Sequence, residues 1–307
     1  MSELKRELYS HDEFDEADAE GRVDSEKPLS RQDFRRQKRR RRRQLMLAVL
    51  PTMLTLGNGA CGLGAIAVAV SGDELAWTLE QKLFAAGVLI FGGMLFDALD
   101  GSAARMTGQE TEFGAELDSL CDAVTFGTAP AVIIWRISDA LPQRFLWAVG
   151  VLFTLCVLIR LARFNVETDE DDSHETFEGL PSPAAAGTLA AFGIAMPDLK
   201  AIASDSVYPE NVQAIAEAAL KGSHYFIPAL AGVLAYLMVS RFQYPHLVSQ
   251  WVKGRRAPHQ IGQAMFAVVG VLLLHWLALP IAFCYYAFAA PLKSLLAKRS
   301  KLQHADP

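Results

Sequence analysis

The sequence predicts an all-α integral membrane protein, and three observations carry that prediction. From about residue 45 onward the chain runs in apolar stretches of roughly 17–25 residues, the length that crosses a hydrocarbon core of about 30 Å at about 1.5 Å per residue. Residues 1–44, by contrast, are almost entirely polar. Lysine and arginine then fall mainly on alternate linkers between the apolar stretches. Bulk composition alone would hide this: 51% hydrophobic and 21% charged residues lie close to the soluble average.

The apolar stretches read as 45–71, 81–104, 113–137, 143–165, 182–198, 223–241, 262–279 and 281–297. The last two are separated only by Pro280, inside an apolar run too long for one span and long enough for a tight hairpin. The expected architecture is therefore eight transmembrane helices, six followed by a C-terminal helical hairpin. The expected organisation is a disordered, acidic-then-basic cytoplasmic extension (1–44), a transmembrane domain (45–297) and a cytoplasmic tail (298–307).

Charge placement tests the count. Arg105, Arg160, Arg163, Arg241, Lys253, Arg255 and Arg256, with Lys293, Lys298, Arg299 and Lys301 in the tail, follow the even-numbered spans. The opposite linkers carry only Lys82, Arg136, Arg144, Lys200 and Lys221. The bias puts both termini in the cytoplasm of a multi-pass cell-membrane protein, and it requires an even number of spans. The linker 199–222 then lies outside and ends in an Ala/Glu-rich stretch, Asn211 to Leu220, that suits a surface helix.

The remaining features exclude several function classes. Of the nine residues Arg35 to Arg43, eight are Lys or Arg. This run ends at the first span, as a topology anchor that attracts anionic lipid does, and it has no aromatics or motif of a nucleic-acid binder. The four cysteines, Cys61, Cys121, Cys156 and Cys284, lie in apolar segments without CxxC spacing, which reads as free thiols rather than disulfides or zinc ligands. The first apolar run is too long for the core of a cleavable signal peptide. The acidic loop 167–175 reads as solvated surface.

Ionisable groups inside a membrane are costly and therefore point to function. Asp97 and Asp100 are spaced i, i+3 on the second span, and Asp118 and Asp122 are spaced i, i+4 on the third. Each spacing puts both carboxylates on one helix face, and the short linker makes the two helices antiparallel neighbours. Such a group needs a counter-charge. Oxygen-only ligands favour Mg²⁺ or Mn²⁺ over zinc, and four carboxylates suit two ions bridged by a substrate phosphate. Helix capping or pairing with Arg105 can account for one or two aspartates, but not four in register.

From Asp97 to Asp122 the chain reads Asp, two residues, Asp-Gly, two residues, Ala-Arg, eight residues, Gly, three residues, Asp, three residues, Asp. This resembles the signature of the CDP-alcohol phosphatidyltransferase family at every fixed position. The resemblance implies a core of six membrane helices, usually in a homodimer, with the site facing the cytoplasm. It implies metal ligation by Asp97, Asp100 and Asp118. Asp122 would also lie at the metals and act as the general base. Asp100, Gly101, Ala104, Arg105 and Gly114 match the nucleotide contacts.

Flanking segments are similar to the phosphatidylserine synthase branch: Pro51 to Asn58, Leu117 to Ala131, Arg160 to Asn165 and Gly179 to Ala184. That likeness covers about residues 45–195 and implies CDP-diacylglycerol and L-serine as substrates. The residues themselves leave the acceptor open. Arg160 and Arg163 can clamp a carboxylate or phosphate, or anchor the helix at the membrane surface. Ser119 and Thr125 can hydrogen-bond an acceptor or a helix carbonyl. Sister enzymes acting on glycerol 3-phosphate, inositol phosphate or choline share the signature. A divalent-cation transporter would want its carboxylates near the midplane and no arginine beside them, and a non-catalytic scaffold needs no carboxylates in register.

Overall fold

A computed structural model describes residues 31–72, 76–107, 111–138, 140–167, 176–245 and 277–303. Two compact units divide the chain, Met1–Met46 and Leu47–Pro307. The helices are α1 (Arg31–Val70), α2 (Leu79–Thr107), α3 (Glu112–Asp122), α4 (Ala129–Arg136), α5 (Gln143–Glu167), α6 (Ser182–Ser204), α7 (Glu210–Val239) and α8 (Ala278–Gln303). A π-helical segment, Ala123–Thr128, joins α3 to α4 without a break. Among the described residues six segments are long and apolar enough to cross a membrane: 50–70, 79–103, 112–136, 143–166, 182–204 and 210–239. This is a helical fold of the membrane type.

The first four spans fall within a few residues of their expected limits. The fifth and sixth do not. The linker expected at 199–222 shrinks to 205–209, because α6 continues to Ser204 and α7 starts at Glu210. The Ala/Glu-rich stretch is not a separate surface helix but the opening turns of α7. Its residues favour helix strongly, and Gly222 sits where nothing crowds the backbone. Gln213 closes the short turn by donating through Nε2 to the carbonyls of Asp205 (2.8 Å) and Tyr208 (2.9 Å).

At the C-terminus, α8 begins at Ala278, so Pro280 occupies its first turn, where a missing N–H costs little. Its apolar part, Ala278–Leu292, is shorter than the six spans. The expected seventh span lies outside the described residues except for 277–279. The extension before residue 31, most of the acidic loop and the polar stretch 246–261 also lie outside them. All four cysteines are free thiols.

Helix α6 is the hub, packing against α2, α7 and α8. Its buried face is built from Ala185, Ala186, Gly187, Ala190, Ala191, Gly193 and Ala195. Without side chains to hold them apart, backbones come close. A Cβ on Gly87 of α2 would lie 2.7 Å from the Ala190 carbonyl, and one on Gly193 would lie 3.0 Å from that of Leu83. Small residues at such contacts are how membrane helices associate where lipid supplies no hydrophobic drive.

Each end of the bundle is tied off by polar contacts. At the end where α1 stops and α2 starts, buried Lys82 donates to the carbonyls of Ser71 (2.9 Å) and Gly72 (2.8 Å), which completes the C-terminus of α1. Glu80 and Lys200 pair at 2.6 Å at the same end. At the other end, β1 (Thr176–Glu178) pairs antiparallel with β2 (Gln243–Pro245). Gly179, at φ +81°, turns the chain from this ladder into α6, and its N–H donates to the Phe242 carbonyl at 2.8 Å. Buried Tyr244 donates its hydroxyl to the Ala287 carbonyl of α8 at 2.9 Å.

The packing of α1 against the third span is tight enough to test. A Cβ on Gly62 would overlap Thr125, coming within 2.7 Å of its Cα and 2.9 Å of its backbone nitrogen. Backbone atoms cannot move aside as a flexible side chain can. Gly62→Ala is therefore expected to destabilise the protein by about 1–3 kcal/mol, read as a lowered thermal midpoint in detergent. An unchanged midpoint would show that α1 and the third span can slide apart freely.

Candidate active site

The aspartates gather at the end of the bundle where α2 stops and α3 starts. Thr111 caps α3, its Oγ1 accepting from the Gly114 N–H at 3.1 Å. Asp118 of α3 comes opposite Asp97 and Asp100 of α2. Carboxylate oxygens of these three residues lie within 4.8 Å of one another. Asp100 is buried at 5% exposure, and Asp97 and Asp118 are half-buried.

One oxygen of Asp100 (Oδ2) and one of Asp118 (Oδ1) are buried without a hydrogen-bond partner among the described residues. A buried polar atom left unpaired is expensive, and a buried carboxylate oxygen more so. Three carboxylates brought together in this way, two of them with a buried oxygen to satisfy, fit a hard divalent cation: the donors are all oxygen, the charge to be compensated is large, and no imidazole or thiolate is among them. Asp97, Asp100 and Asp118 are the residues that would hold it.

Asp122, one turn beyond Asp118, stands apart from this trio. It is 7% exposed and lies within Coulombic range of Asp97, Asp118 and Asp100. Its Oδ1 accepts a hydrogen bond of 2.8 Å from Nδ2 of Asn58 on α1. Thr55, also buried on α1, lies beside Asp100 and donates its hydroxyl to the Pro51 carbonyl at 3.0 Å. The floor of the site is thus made by α1, which the aspartate spacing does not include.

The structure treats the other expected residues unevenly. Among the described residues, no atom lies within 4 Å of a Cβ built on Gly101. Gly114 lies in the first turn of α3 against Thr111, and Ala104 and Arg105 lie in the last turns of α2. Ser119 accepts from Nδ2 of Asn165 at 3.0 Å, joining α3 to α5. Thr125 donates to the Asn58 carbonyl at 2.9 Å. Arg160 of α5 donates through an Nη to Ser182 Oγ at 2.9 Å, within Coulombic range of Asp122 and Tyr286, while its Nε is buried without a partner. Arg163 is half-buried one turn further along α5.

Sequence reasoning placed Thr55, Asn58 and Ser182 in segments similar to the phosphatidylserine synthase branch but gave none of them a contact at the site. The available signal was polarity: each is a hydrogen-bonding residue in or at the start of an apolar span, and each proves buried.

Six segments long and apolar enough to cross a membrane, with three carboxylates close enough together to take a divalent cation, describe a helical protein of the membrane type that carries a candidate metal site. The family model for CDP-alcohol phosphatidyltransferases matches residues 48–219, more than half of the chain and all of the site. The chain belongs to the CDP-alcohol phosphatidyltransferase family. Among curated relatives, the CDP-diacylglycerol–serine O-phosphatidyltransferase of Bacillus subtilis (strain 168) is 32% identical over 203 residues, 64% of this chain and 90% of the relative. The protein of that name from Mycobacterium tuberculosis (strain ATCC 25618 / H37Rv) is 38% identical over 151 residues, 48% of this chain and 49% of the relative. The archaetidylserine synthase of Methanothermobacter thermautotrophicus is 39% identical over 146 residues, 47% of this chain and 57% of the relative. The chain spans about half the length of the mycobacterial relatives it matches.

Proposed function

We propose that this protein transfers the phosphatidyl group of CDP-diacylglycerol to L-serine, giving phosphatidylserine and CMP. The observation that carries the reading is the cluster of Asp97, Asp100 and Asp118 oxygens within 4.8 Å, with Asp122 one turn away. The relatives' names support the choice of serine. A pair of Mg²⁺ or Mn²⁺ ions would supply there the positive charge that neutralises the pyrophosphate and favours CMP as leaving group.

The chain's own residues do the rest. Asp97, Asp100 and Asp118 would hold the ions, with Asp122 one turn further along α3. Gly101, Ala104, Arg105 and Gly114 receive the cytidine nucleotide along the end of α2 and the start of α3, where absent or small side chains let it approach. The serine hydroxyl attacks the phosphorus that carries diacylglycerol. A new P–O bond forms, the bridging P–O bond to CMP breaks, and the hydroxyl proton passes to Asp122. A carboxylate is a weak base for an alcohol, so this proton leaves late, as the new bond forms.

Arg160 holds the serine carboxylate through its unpaired Nε, with Arg163 adding positive charge, and Ser119 and Thr125 bound the acceptor side. Losing a charge-assisted hydrogen bond costs about 1.5–3 kcal/mol, or about 10- to 100-fold in affinity. Arg160→Met is therefore expected to raise KM for serine by that factor and leave KM for CDP-diacylglycerol within about twofold. A rise confined to the lipid substrate would move Arg160 to the phosphate side.

The protein acts in the cytoplasmic membrane as a homodimer, with the site and both termini on the cytoplasmic side. The chain divides into an extension (1–44), a catalytic membrane domain of eight helices (45–297) and a tail (298–307). The acceptor is tested by supplying purified protein with CDP-diacylglycerol, Mn²⁺ or Mg²⁺, and serine, glycerol 3-phosphate, inositol phosphate or choline separately. CMP release that depends on serine supports the reading. Release only with a phosphorylated polyol or choline overturns it in favour of a sister reaction.

A further inference from the structure

The proposed base is held by a residue outside the aspartate motif. Asn58 is fully buried on α1, and its Nδ2 donates to Asp122 Oδ1 at 2.8 Å. The same residue's backbone carbonyl accepts from Thr125 Oγ1 at 2.9 Å. One position on α1 is therefore bonded, through side chain and main chain, to two points three residues apart on the third span.

The surroundings leave Asn58 little freedom. A Cβ on Gly93 would lie 2.8 Å from Asn58 Oδ1, and one on Gly59 would lie 2.9 Å from Cys121 Sγ. Glycine at both positions is what lets α1, α2 and α3 close around the amide. An ionised carboxylate only accepts, so the amide must present its NH₂ to Asp122. The terminal torsion of aspartate is broad when nothing constrains it. Here the bond to Oδ1 restrains that torsion.

We propose that Asn58 is a positioning residue for the transfer reaction: it commits Asp122 Oδ1 and thereby turns Oδ2 toward the acceptor hydroxyl. The inference rests on the reading of Asp122 as the base. A misplaced catalytic group can cost about 10²-fold in rate, whereas the metal trio of Asp97, Asp100 and Asp118 lies outside this hydrogen bond.

The test uses the full-length protein in detergent. Asn58→Leu keeps the branched outline of the side chain and removes the donor, and Asn58→Ala is a smaller second variant for use if the bulkier leucine lowers the thermal midpoint. The expected result is a kcat lowered about 10- to 100-fold, both KM values within about twofold, and the thermal shift on adding Mn²⁺ preserved. Combined with Asp122→Asn, the Asn58 variant should cause almost no additional loss, since it acts through Asp122. Full activity in both Asn58 variants contradicts the positioning role alone. So does loss of the Mn²⁺ shift, or a loss that multiplies with that of Asp122→Asn. No CMP release by the unmutated protein with any acceptor contradicts the proposed function itself.

Discussion

Replacing Asp122 with asparagine is expected to lower kcat by about 10²–10⁴-fold, the range that general-base catalysis supplies. Asparagine keeps the volume and can still accept from Asn58 through its carbonyl oxygen, so the 2.8 Å contact between α1 and α3 survives. What disappears is the carboxylate oxygen proposed to take the proton. KM for CDP-diacylglycerol should change little, because the trio assigned to the metal and pyrophosphate is intact. The measurement is steady-state CMP release, with a thermal melt to show that the variant folds. Near-normal turnover would remove the base assignment and leave proton transfer to the substrate phosphate or to solvent.

The second large effect concerns the metal trio. Asp118→Asn removes one of three converging carboxylates, including an oxygen that is buried and unpaired. Metal ions at such sites stabilise transition-state charge by several kcal/mol, so the expected loss is about 10³-fold or more. Chelation with EDTA should reproduce that loss in the unmutated protein, and added Mn²⁺ or Mg²⁺ should reverse it. The variant should also lose the thermal shift that Mn²⁺ produces in the parent. Stability offers a separate check: a buried cluster of like charges is strained, so with the ion removed Asp118→Asn should melt no lower than the parent. Activity that persists in EDTA would contradict a metal-dependent reaction at this site.

Much of this site was legible in the sequence because its logic is local. Asp97 and Asp100, like Asp118 and Asp122, are neighbours on a helix surface, and helical spacing alone puts each pair on one face. The surrounding apolar residues mark those faces as lying in a membrane, where charge calls for a reason. The parts that were not legible depend on contacts distant in sequence. Asn58 meets Asp122 across 64 residues, and nothing in the run Leu54 to Asn58 says which helix it will touch. The π-helical segment Ala123–Thr128 has no local signature either, since Ala, Val, Thr, Phe and Gly occur equally well in an ordinary helix.

The fold shows the same division. Uninterrupted apolar stretches such as 143–165 located their helices well. The stretch 199–222 misled because Glu217 and Lys221, which pair at 3.5 Å as i, i+4 neighbours on α7, read as surface residues and so suggested a separate helix. Charge on one face of a helix end does not require that the helix stop.

The central claim is that the four-aspartate site joins serine to the phosphatidyl group of CDP-diacylglycerol. The most direct measurement supplies purified protein with CDP-diacylglycerol, Mn²⁺ and isotopically labelled L-serine, then follows label into the lipid phase alongside CMP release. The account predicts label in phosphatidylserine, one CMP for each lipid formed, and neither product in EDTA or with Asp122→Asn. CMP release at the same rate without serine, with no label entering lipid, would contradict it.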